Sequence, residues 1–240
     1  MEEEVLEKYF EKAAQKINLE LSEEEIKKFM KYKNIIKNWN EKINLTAIID
    51  DKEFLLKHFI DSLTINKYIE ENNKIIDIGT GAGFPGIPIK IVNKDIEIDL
   101  LDSLNKRLIV LNEVIEELKL KNIKTIHGRA EEIFQKEEYR EKYDIAVSRA
   151  VASLKVLVEL MMPAIKVGGK CICMKGKNSE EEINEARKAI KILGGEIEEI
   201  KSLTLPESDN ERTIIIIRKT KKTSLKYPRK PGTPQSKPIK

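Results

Sequence analysis

The stretch Lys74-Ile-Ile-Asp-Ile-Gly-Thr-Gly-Ala-Gly-Phe-Pro-Gly86 decides the fold. Its first five residues are a short, mainly apolar run that ends at a glycine, which is typical of a buried parallel strand. Three glycines follow at alternate positions, Gly79, Gly81 and Gly83. Glycine is needed where the backbone adopts positive φ or where a ligand approaches closer than a Cβ permits. Pro85 fits the first turn of a helix. Strand, glycine loop and helix start predict a ligand cradle at the carboxyl edge of an open α/β sheet.

The acid within this stretch, Asp77, indicates the kind of ligand. The run from Gly81 to Gly86 matches the dinucleotide fingerprint, but a nearby carboxylate would repel a pyrophosphate at the helix N-terminus. The acid suits a ligand with a cationic end, and S-adenosylmethionine carries an ammonium and a sulfonium but no phosphate. The pattern Asp77-x-Gly79-x-Gly81-x-Gly83 is similar to the first motif of Rossmann-like methyltransferases. The alternative interpretation is a glycine-rich turn without a ligand.

Composition predicts a soluble globular protein. The chain has 240 residues, of which 35% are charged and 40% are hydrophobic, enough for one ordinary domain and an accessory segment. No apolar run approaches the roughly 20 residues that span a bilayer, and the acidic N-terminus does not resemble a signal peptide. We therefore expect no membrane association and a cytoplasmic location. Cys171 and Cys173 fit neither a disulfide framework nor a zinc motif, so we expect no metal.

Hydrophobic periodicity divides the chain into three segments. Helices predicted over residues 2–16, 22–39 and 54–69 form an N-terminal helical cap, residues 1–70. Strands alternate with helices over residues 71–220, which predicts a methyltransferase domain with a mostly parallel seven-stranded sheet. The last two predicted strands, 196–203 and 212–218, have no helix between them. They should pair as a hairpin that adds one antiparallel edge strand, an ending that favours a methyltransferase over a dehydrogenase.

Two further places carry candidate functional residues. Asp102 ends the second predicted strand about 20 residues after the glycine loop, a position that commonly binds ribose hydroxyls, and Ser103 follows it. His58 and Asp61 lie three residues apart and hence on one helix face. They are either a local pair that orients helices or part of a site.

Basic charge is concentrated near the C-terminus. Residues 218–240 contain nine Lys or Arg and no acid, so the net charge of +3 becomes about −6 for residues 1–217. Residues 221–240 are therefore predicted to form a basic, Pro-rich tail. Two interpretations of this tail remain open, a polyanion-binding segment and a disordered solubility tail.

A series of motifs, in order, is more specific than the glycine loop alone. The chain resembles the bacterial small-subunit ribosomal RNA guanine-N7 methyltransferases, also called glucose-inhibited division protein B, from about residue 35 onward. The motifs are Asn44-Leu-Thr-Ala47, His58-x-x-Asp61-Ser-Leu63, the glycine loop, Leu101-Asp-Ser103, Lys106-Arg107, Gly128-Arg-Ala-Glu131, Ser148-Arg-Ala-Val-Ala152, Met174-Lys-Gly176 and Tyr227-Pro-Arg-Lys-Pro-Gly-Thr-Pro234.

The resemblance implies a cofactor and a substrate. It implies a Rossmann-like, S-adenosylmethionine-dependent methyltransferase that acts on a single guanosine of 16S rRNA near the decoding centre, in free RNA or in the 30S subunit. A monomer is expected. Of the expected cofactor contacts, the resemblance implies Gly79, Phe84, Asp102, Ala130, Glu131 and Arg149, and the patterns of the glycine loop and of the second strand end add Asp77, Gly81, Gly83 and Ser103. The expected RNA contacts, which rest on basic charge and on one aromatic ring of the tail, are Lys106, Arg107, Lys226, Tyr227, Arg229 and Lys230.

The chemistry of this reaction explains why no catalytic dyad stands out. Guanine N7 has an exposed lone pair and carries no proton, so its attack on a sulfonium methyl needs no general base, and positioning supplies most of the acceleration. Arg149 is the candidate catalytic residue, although it would alternatively pair with an acid at a strand end. Lys106 and Arg107 are alternatively a solvated helix start. The competing functions are a nucleotide-binding regulatory protein and a nicotinamide dehydrogenase.

Overall fold

The computed structural model describes residues 2–149, 151–177 and 179–239, and a seven-stranded sheet forms its centre. The strands are β1 (Lys74–Ile78), β2 (Glu97–Asp102), β3 (Ile123–His127), β4 (Tyr143–Arg149), β5 (Ile165–Lys175), β6 (Gly195–Thr204) and β7 (Glu211–Lys219). Their order across the sheet is β3-β2-β1-β4-β5-β7-β6. Strands β1 to β5 pair in parallel, and β7 runs antiparallel to both β5 and β6. The predicted fold class is confirmed, with the reversed strand β7 held between β5 and the outermost strand β6.

The helices lie before, between and after these strands. They are α1 (Glu2–Lys16), α2 (Glu23–Asn40), α3 (Asp51–Phe54), α4 (Asp61–Leu63), α5 (Gly86–Val92), α6 (Asn105–Glu117), α7 (Ala130–Ile133), α8 (Leu154–Met161), α9 (Glu180–Ile192) and α10 (Thr233–Ser236). The capping box predicted at the start of the second helix is present, because Ser22 and Glu25 exchange hydrogen bonds there.

The single helix predicted over residues 54–69 is wrong. A π-helical turn, Leu55–Ile60, separates α3 from α4, and a 3₁₀ turn, Asn66–Tyr68, follows. Apolar periodicity does not reveal this change, because the buried residues of the π turn, Leu55, Leu56, Phe59 and Ile60, have a spacing that one face of an α-helix also shows. Single π turns often occur at functional sites, and this one contains His58.

The N-terminal helices share one core with the sheet. Phe10, Phe29 and Phe59 contact one another with ring centroids 4.9 to 5.9 Å apart, and all three are fully buried. The same core contains Ile75 of β1 and Leu100 of β2. Helix α2 packs on α5 and α6, and α1 packs on α2 and on the π turn, so these helices extend the core on one face of the sheet.

The opposite face of the sheet is covered by α7, α8, α9 and the segment after β7. Its core includes Ile76, Leu157 and Ile190, and it extends to Tyr227 and Ile239 near the end of the chain. Within the described residues, no helix combines the length and apolar character that crossing a bilayer requires. The same residues contain no group of three or more His, Cys, Asp and Glu side chains that would hold a metal ion.

Candidate active site

A cavity of about 540 Å³ opens at the carboxyl ends of β1, β2 and β4. Ile78, Asp102 and Arg149, which end these three strands, all line it. In open α/β sheets this edge is where ligands bind, and the volume lies within the range of small-molecule sites.

The glycine loop forms the floor of the cavity. Gly81 has φ +61°, and a Cβ added there would meet nothing nearer than the Gly79 carbonyl oxygen at 4.0 Å, so the space beside it is open to the cavity. Gly83 has φ +96° and faces the other way, because a Cβ there would lie 2.4 Å from the Tyr32 hydroxyl of α2. The hydroxyl of Tyr32 donates a hydrogen bond to the carbonyl of Ala82. Gly81 thus leaves room for a ligand, whereas Gly83 lets α2 support the loop.

Asp77 lies behind the loop and not in the cavity wall. Its side chain is fully buried, and Oδ2 accepts hydrogen bonds from the Thr80 hydroxyl at 2.7 Å and the Gly86 N–H at 2.9 Å. Among the described residues, Oδ1 accepts none. Burial raises the pKa of this carboxyl to about 6, against the opposing hydrogen bonds and the charge of Arg149. Asp77 therefore shapes the loop from beneath, and neither it nor Gly83 is among the residues that line the cavity.

Asp102 joins the loop to the end of β2. Its Oδ2 accepts the Gly81 N–H at 2.9 Å and an N–H of Arg107 at 3.3 Å, and its Oδ1 accepts the Leu104 N–H at 2.9 Å. A carboxylate has about four acceptor positions, so one remains for a further donor such as a ribose hydroxyl. Arg107 lines the cavity in an ion pair with Asp102, whereas Lys106 is exposed and lies outside the cavity lining.

Arg149 ends β4 in a buried cluster of aromatic and polar groups. Its guanidinium lies 5.1 Å from the centroid of the Phe84 ring, and His58 stacks on the same ring at 4.4 Å. Its Nη1 donates to the Lys57 carbonyl at 3.0 Å and to Asp61 Oδ2 at 3.3 Å. Burial lowers the pKa of Arg149, and the charge of Asp61 opposes that shift. Arg149 therefore pairs with an acid and also lines the cavity.

His58 is a neutral member of this cluster. Burial, followed by the charge of Arg149, lowers its pKa to about 3. Its Nδ1 accepts from Arg149 at 3.2 Å, so its Nε2–H donates to the Thr46 hydroxyl at 2.7 Å. The sequence predicts His58 and Asp61 as a pair on one helix face, and in the structure both side chains hydrogen-bond to Arg149.

The other predicted cofactor residues lie around the same cavity. Ser103 follows Asp102, and Ala130 and Glu131 begin α7 on the far side of β2. The predicted residues that the structure brings together in the lining are Gly79, Gly81, Phe84, Asp102, Ser103, Ala130, Glu131 and Arg149. Their separations in sequence show that the sheet edge, and not local spacing, assembles the site.

The predicted RNA contacts in the tail need correction. Tyr227 is 7% exposed and belongs to the core, so its ring is not free to stack on a base. Arg229 forms a bidentate ion pair with the buried Glu159, at 2.8 and 2.6 Å. Lys219, one of the nine cations of residues 218–240, is fully buried and pairs with Glu141. Lys226 and Lys230 are exposed, as the prediction requires.

The same segment supplies cavity residues that the sequence did not reveal. Gly232, Pro234 and Gln235 line the cavity beside Glu131. One signal pointed to them, because Glu159 is the single acid in an otherwise largely apolar helix and a buried carboxylate requires a cation.

The fold and the glycine-loop cavity define a Rossmann-like, S-adenosylmethionine-dependent methyltransferase. A family model described as rRNA small subunit methyltransferase G matches residues 25–215, and the chain belongs to this family. It is 54% identical over 235 residues to the ribosomal RNA small subunit methyltransferase G of Acetivibrio thermocellus, covering 98% of this chain and 97% of that protein. Identity to the protein of the same name from Alkaliphilus oremlandii is 53%, covering 95% and 96%.

Solved structures with low sequence identity share the fold. Precorrin-6y C5,15-methyltransferase from Geobacter metallireducens has a TM-score of 0.52 at 12% identity, covering 75% of this chain and 96% of that chain. M. jannaschii TYW2, solved in complex with AdoMet, has a TM-score of 0.52 at 14% identity, covering 66% and 76%. Membership of a methyltransferase family leaves the dehydrogenase and regulatory hypotheses without support.

Proposed function

We propose that this protein transfers the methyl group of S-adenosylmethionine to guanine N7 of one guanosine in 16S rRNA, near the decoding centre of the small ribosomal subunit. The observation that carries the proposal is the cavity itself, in which the glycine loop, Asp102 and Arg149 meet at one sheet edge in a chain of this family. The guanosine, its N7 atom and the decoding centre rest on the resemblance of the motifs.

The residues of the cavity fit S-adenosylmethionine at three points. The open space beside Gly81 admits a ligand at the backbone, which a Cβ would fill. The spare acceptor of Asp102 suits the ribose hydroxyls, and the fixed cation of Arg149 suits the carboxylate of the methionyl group. Gly79, Phe84, Ser103, Ala130 and Glu131 complete the proposed contacts, while Asp77 and Gly83 act through the shape of the loop.

Positioning accounts for the proposed chemistry. The bound cofactor supplies an electrophilic methyl group on its sulfonium. The chain holds Arg149 and Phe84 in one packed arrangement, which excludes water from this side of the cavity and keeps the cation from moving. His58, neutral above its pKa of about 3, supplies no proton near neutral pH. No general base is needed, because the N7 lone pair of the neutral base is free to attack. N7 lies on the major-groove edge, so the target base should be unpaired or splayed out.

Exposed lysines of the tail are proposed to hold the RNA backbone. The net charge of the chain is +3, and residues 218–240 contribute nine positive charges, so residues 1–217 have a net charge of about −6. Cations of the C-terminal segment are therefore needed to bind a polyanion. Lys221, Lys222, Lys226 and Lys230 are exposed in the structure. Lys106, exposed at the start of α6, is a further candidate near the cavity. We further propose that the protein is a monomer that acts in the cytoplasm, and light scattering and cell fractionation would test this. We also propose three functional segments, the helical cap (1–70), the methyltransferase domain (71–220) and the basic tail (221–240).

The test is the methylation state of 16S rRNA in cells. Nuclease digestion and mass spectrometry of rRNA from a strain that lacks the gene should reveal one guanosine without its N7 methyl group. Expression of the wild-type chain should restore the methyl group, and the Gly81→Val variant should not. Unchanged 16S rRNA in the deletion strain contradicts the proposal. As a separate check of the cofactor, a dinucleotide released from the denatured protein, in place of S-adenosylmethionine or its demethylated product, would contradict it as well.

A further inference from the structure

The segment that follows β7 returns to the cavity and forms part of its wall. Gly232, Pro234 and Gln235 line the cavity, and the side chain of Pro234 is buried. The N–H of Gly232 donates to Oε1 of Glu131 at 3.2 Å, so this segment contacts the start of α7 directly.

A buried ion pair fixes this segment to α8. The carboxylate of Glu159 is fully buried, and three donors of Arg229 satisfy it. The backbone N–H and Nε of Arg229 donate to Oε1 at 2.9 and 2.8 Å, and Nη2 donates to Oε2 at 2.6 Å. Hydrogen bonds from a guanidinium to a carboxylate in this bidentate geometry are strong and directional, so residue 229 is held in one position, three residues before Gly232.

A second clamp holds the backbone before Arg229. The guanidinium of Arg140 donates to the carbonyls of Thr223, Ser224 and Tyr227 at 2.8, 3.1 and 2.7 Å. The amide of Gln135 donates to the Pro228 carbonyl at 2.6 Å. Carbonyl groups held in this way do not fluctuate freely, so the segment is a built part of the fold and not a loose tail.

The order of the strands indicates which end of the cofactor lies beside residues 232–235. Arg149 ends β4 on one side of β1, and Asp102 ends β2 on the other side. With the methionyl carboxylate at Arg149 and the ribose at Asp102, the adenine extends away from Arg149, beyond β2. Glu131, which follows β3 and contacts Gly232, lies on that side.

We propose that residues 232–235 form the wall at the adenine end of the S-adenosylmethionine site, and that Glu159 and Arg229 are positioning residues for this wall. The inference rests on the proposed function, since it assumes that cofactor. It assigns to the C-terminal segment a part in cofactor binding in addition to the exposed lysines that face RNA.

The experiment measures the affinity of purified variants by calorimetry for two ligands, S-adenosylmethionine and 5′-methylthioadenosine, which lacks the methionyl end. In the first variant the chain ends after Lys230. The second variant, Pro234→Ala with Gln235→Ala, keeps the ion pair between Glu159 and Arg229 and the core residue Ile239. We expect the shortened chain to bind both ligands about tenfold more weakly, equivalent to ~1.4 kcal/mol, and the double variant to lose affinity for both in the same direction. Lys237→Ala, at an exposed lysine of the same segment that lies outside the cavity lining, is the matched control and should bind as the wild type does.

The outcomes separate the inference from the proposed function. If the wild type binds neither ligand, the proposed function fails. If the wild type binds both and the shortened chain and the double variant bind equally well, the inference fails. Loss of affinity for S-adenosylmethionine with unchanged affinity for 5′-methylthioadenosine also overturns it, because the wall would then face the methionyl end.

The positioning role of the ion pair has its own readout. Arg229→Lys keeps a cation beside Glu159 but loses the bidentate geometry, whereas Arg229→Ala removes both. We expect Arg229→Ala to weaken 5′-methylthioadenosine binding, and we expect Arg229→Lys to restore part of that loss. Thermal unfolding is followed in parallel. Lower thermal stability with full affinity in both folded variants would make the pair purely structural and contradict its positioning role.

Discussion

Asp61 and Arg149 form a 3.3 Å ion pair across 88 positions of sequence, and Asp61 accepts a second guanidinium, that of Arg212, at 3.0 Å. One buried carboxylate therefore connects the N-terminal helices to the end of β4 and the start of β7. The guanidinium of Arg149, which lines the cavity, is held by this carboxylate on one side and by the Phe84 ring on the other. Its position is fixed by the fold before any ligand arrives.

The first prediction concerns this shared carboxylate. Asp61→Asn leaves the guanidinium of Arg149 buried without its counter-ion, so the free energy of unfolding should fall by about 3–5 kcal/mol. The KM for S-adenosylmethionine should rise as Arg149 loses its fixed position. Denaturant unfolding and steady-state kinetics measure the two effects. Glu53→Gln, which removes an exposed partner of Lys57, is the control and should cost less than about 1 kcal/mol. A variant Asp61→Asn as stable as the wild type would contradict the prediction.

The second prediction tests the glycine loop. Gly81→Val places a branched side chain in the open space beside the loop and forces a positive φ on a residue that avoids it. Cofactor binding should be nearly abolished while the fold is retained. Gly168→Val is the matched control, because Gly168 has φ +89° and an open surrounding but lies outside the cavity lining. It should lose similar stability and keep full affinity in calorimetry. Equal cofactor affinities of the two variants would contradict the prediction that the glycine loop contacts the cofactor.

The third prediction tests Asp102 as a cofactor contact. Asp102→Ala removes an acceptor from the Gly81 N–H and from the proposed ribose contact, so cofactor affinity should fall by about 1–3 kcal/mol. Asp95→Ala removes an exposed carboxylate just before the same strand and should leave affinity unchanged. Calorimetry measures the cofactor affinity of both variants. Wild-type affinity in Asp102→Ala would contradict the proposal that Asp102 binds the ribose hydroxyls.

The fourth prediction is a pH dependence of stability. The pKa of Asp77 is raised from 3.8 to about 6, so the folded state binds this proton more tightly than the unfolded chain does. Its contribution to stability is therefore fully present below about pH 4 and is lost as the pH rises through about 6. Asp77→Asn removes this titration. The free energy of unfolding of the variant, relative to the wild type, should grow by roughly 3 kcal/mol between these two pH values. Parallel pH profiles in denaturant unfolding would rule out a raised pKa at Asp77.

The fifth prediction concerns the exposed lysines of the tail. If Lys221, Lys222, Lys226 and Lys230 neutralise about four phosphates, log affinity for RNA should fall against log salt with a slope near −3. Replacing all four by alanine should flatten that slope and leave S-adenosylmethionine affinity unchanged. A matched variant with alanine at four exposed lysines elsewhere, Lys27, Lys119, Lys121 and Lys188, should keep the steep slope. Identical slopes in the two variants would leave the tail without a role in RNA binding.

Local signals made the fold and the part of the site at the glycine loop and the end of β2 predictable from the sequence. Strand periodicity and the glycine loop are encoded within a few residues, and the acid that ends β2 follows from the same pattern. The contacts of His58 and Asp61 with Arg149 depend on how the N-terminal helices pack on the rest of the fold. The spacing of residues along the sequence does not predict that packing. The role of Arg229 is hidden from the sequence for a related reason, because a count of charges does not reveal its partner Glu159 within the fold.

The cavity wall at residues 232–235 has a consequence for the timing of activity during protein synthesis. While those residues are still inside the ribosome that is making the chain, the cavity lacks one of its walls, even if β1 to β7 have already folded. The proposed contacts at the adenine end form only after that segment has emerged and Arg229 has reached Glu159. We therefore expect a nascent chain that still lacks this wall to bind the cofactor more weakly than the folded protein does.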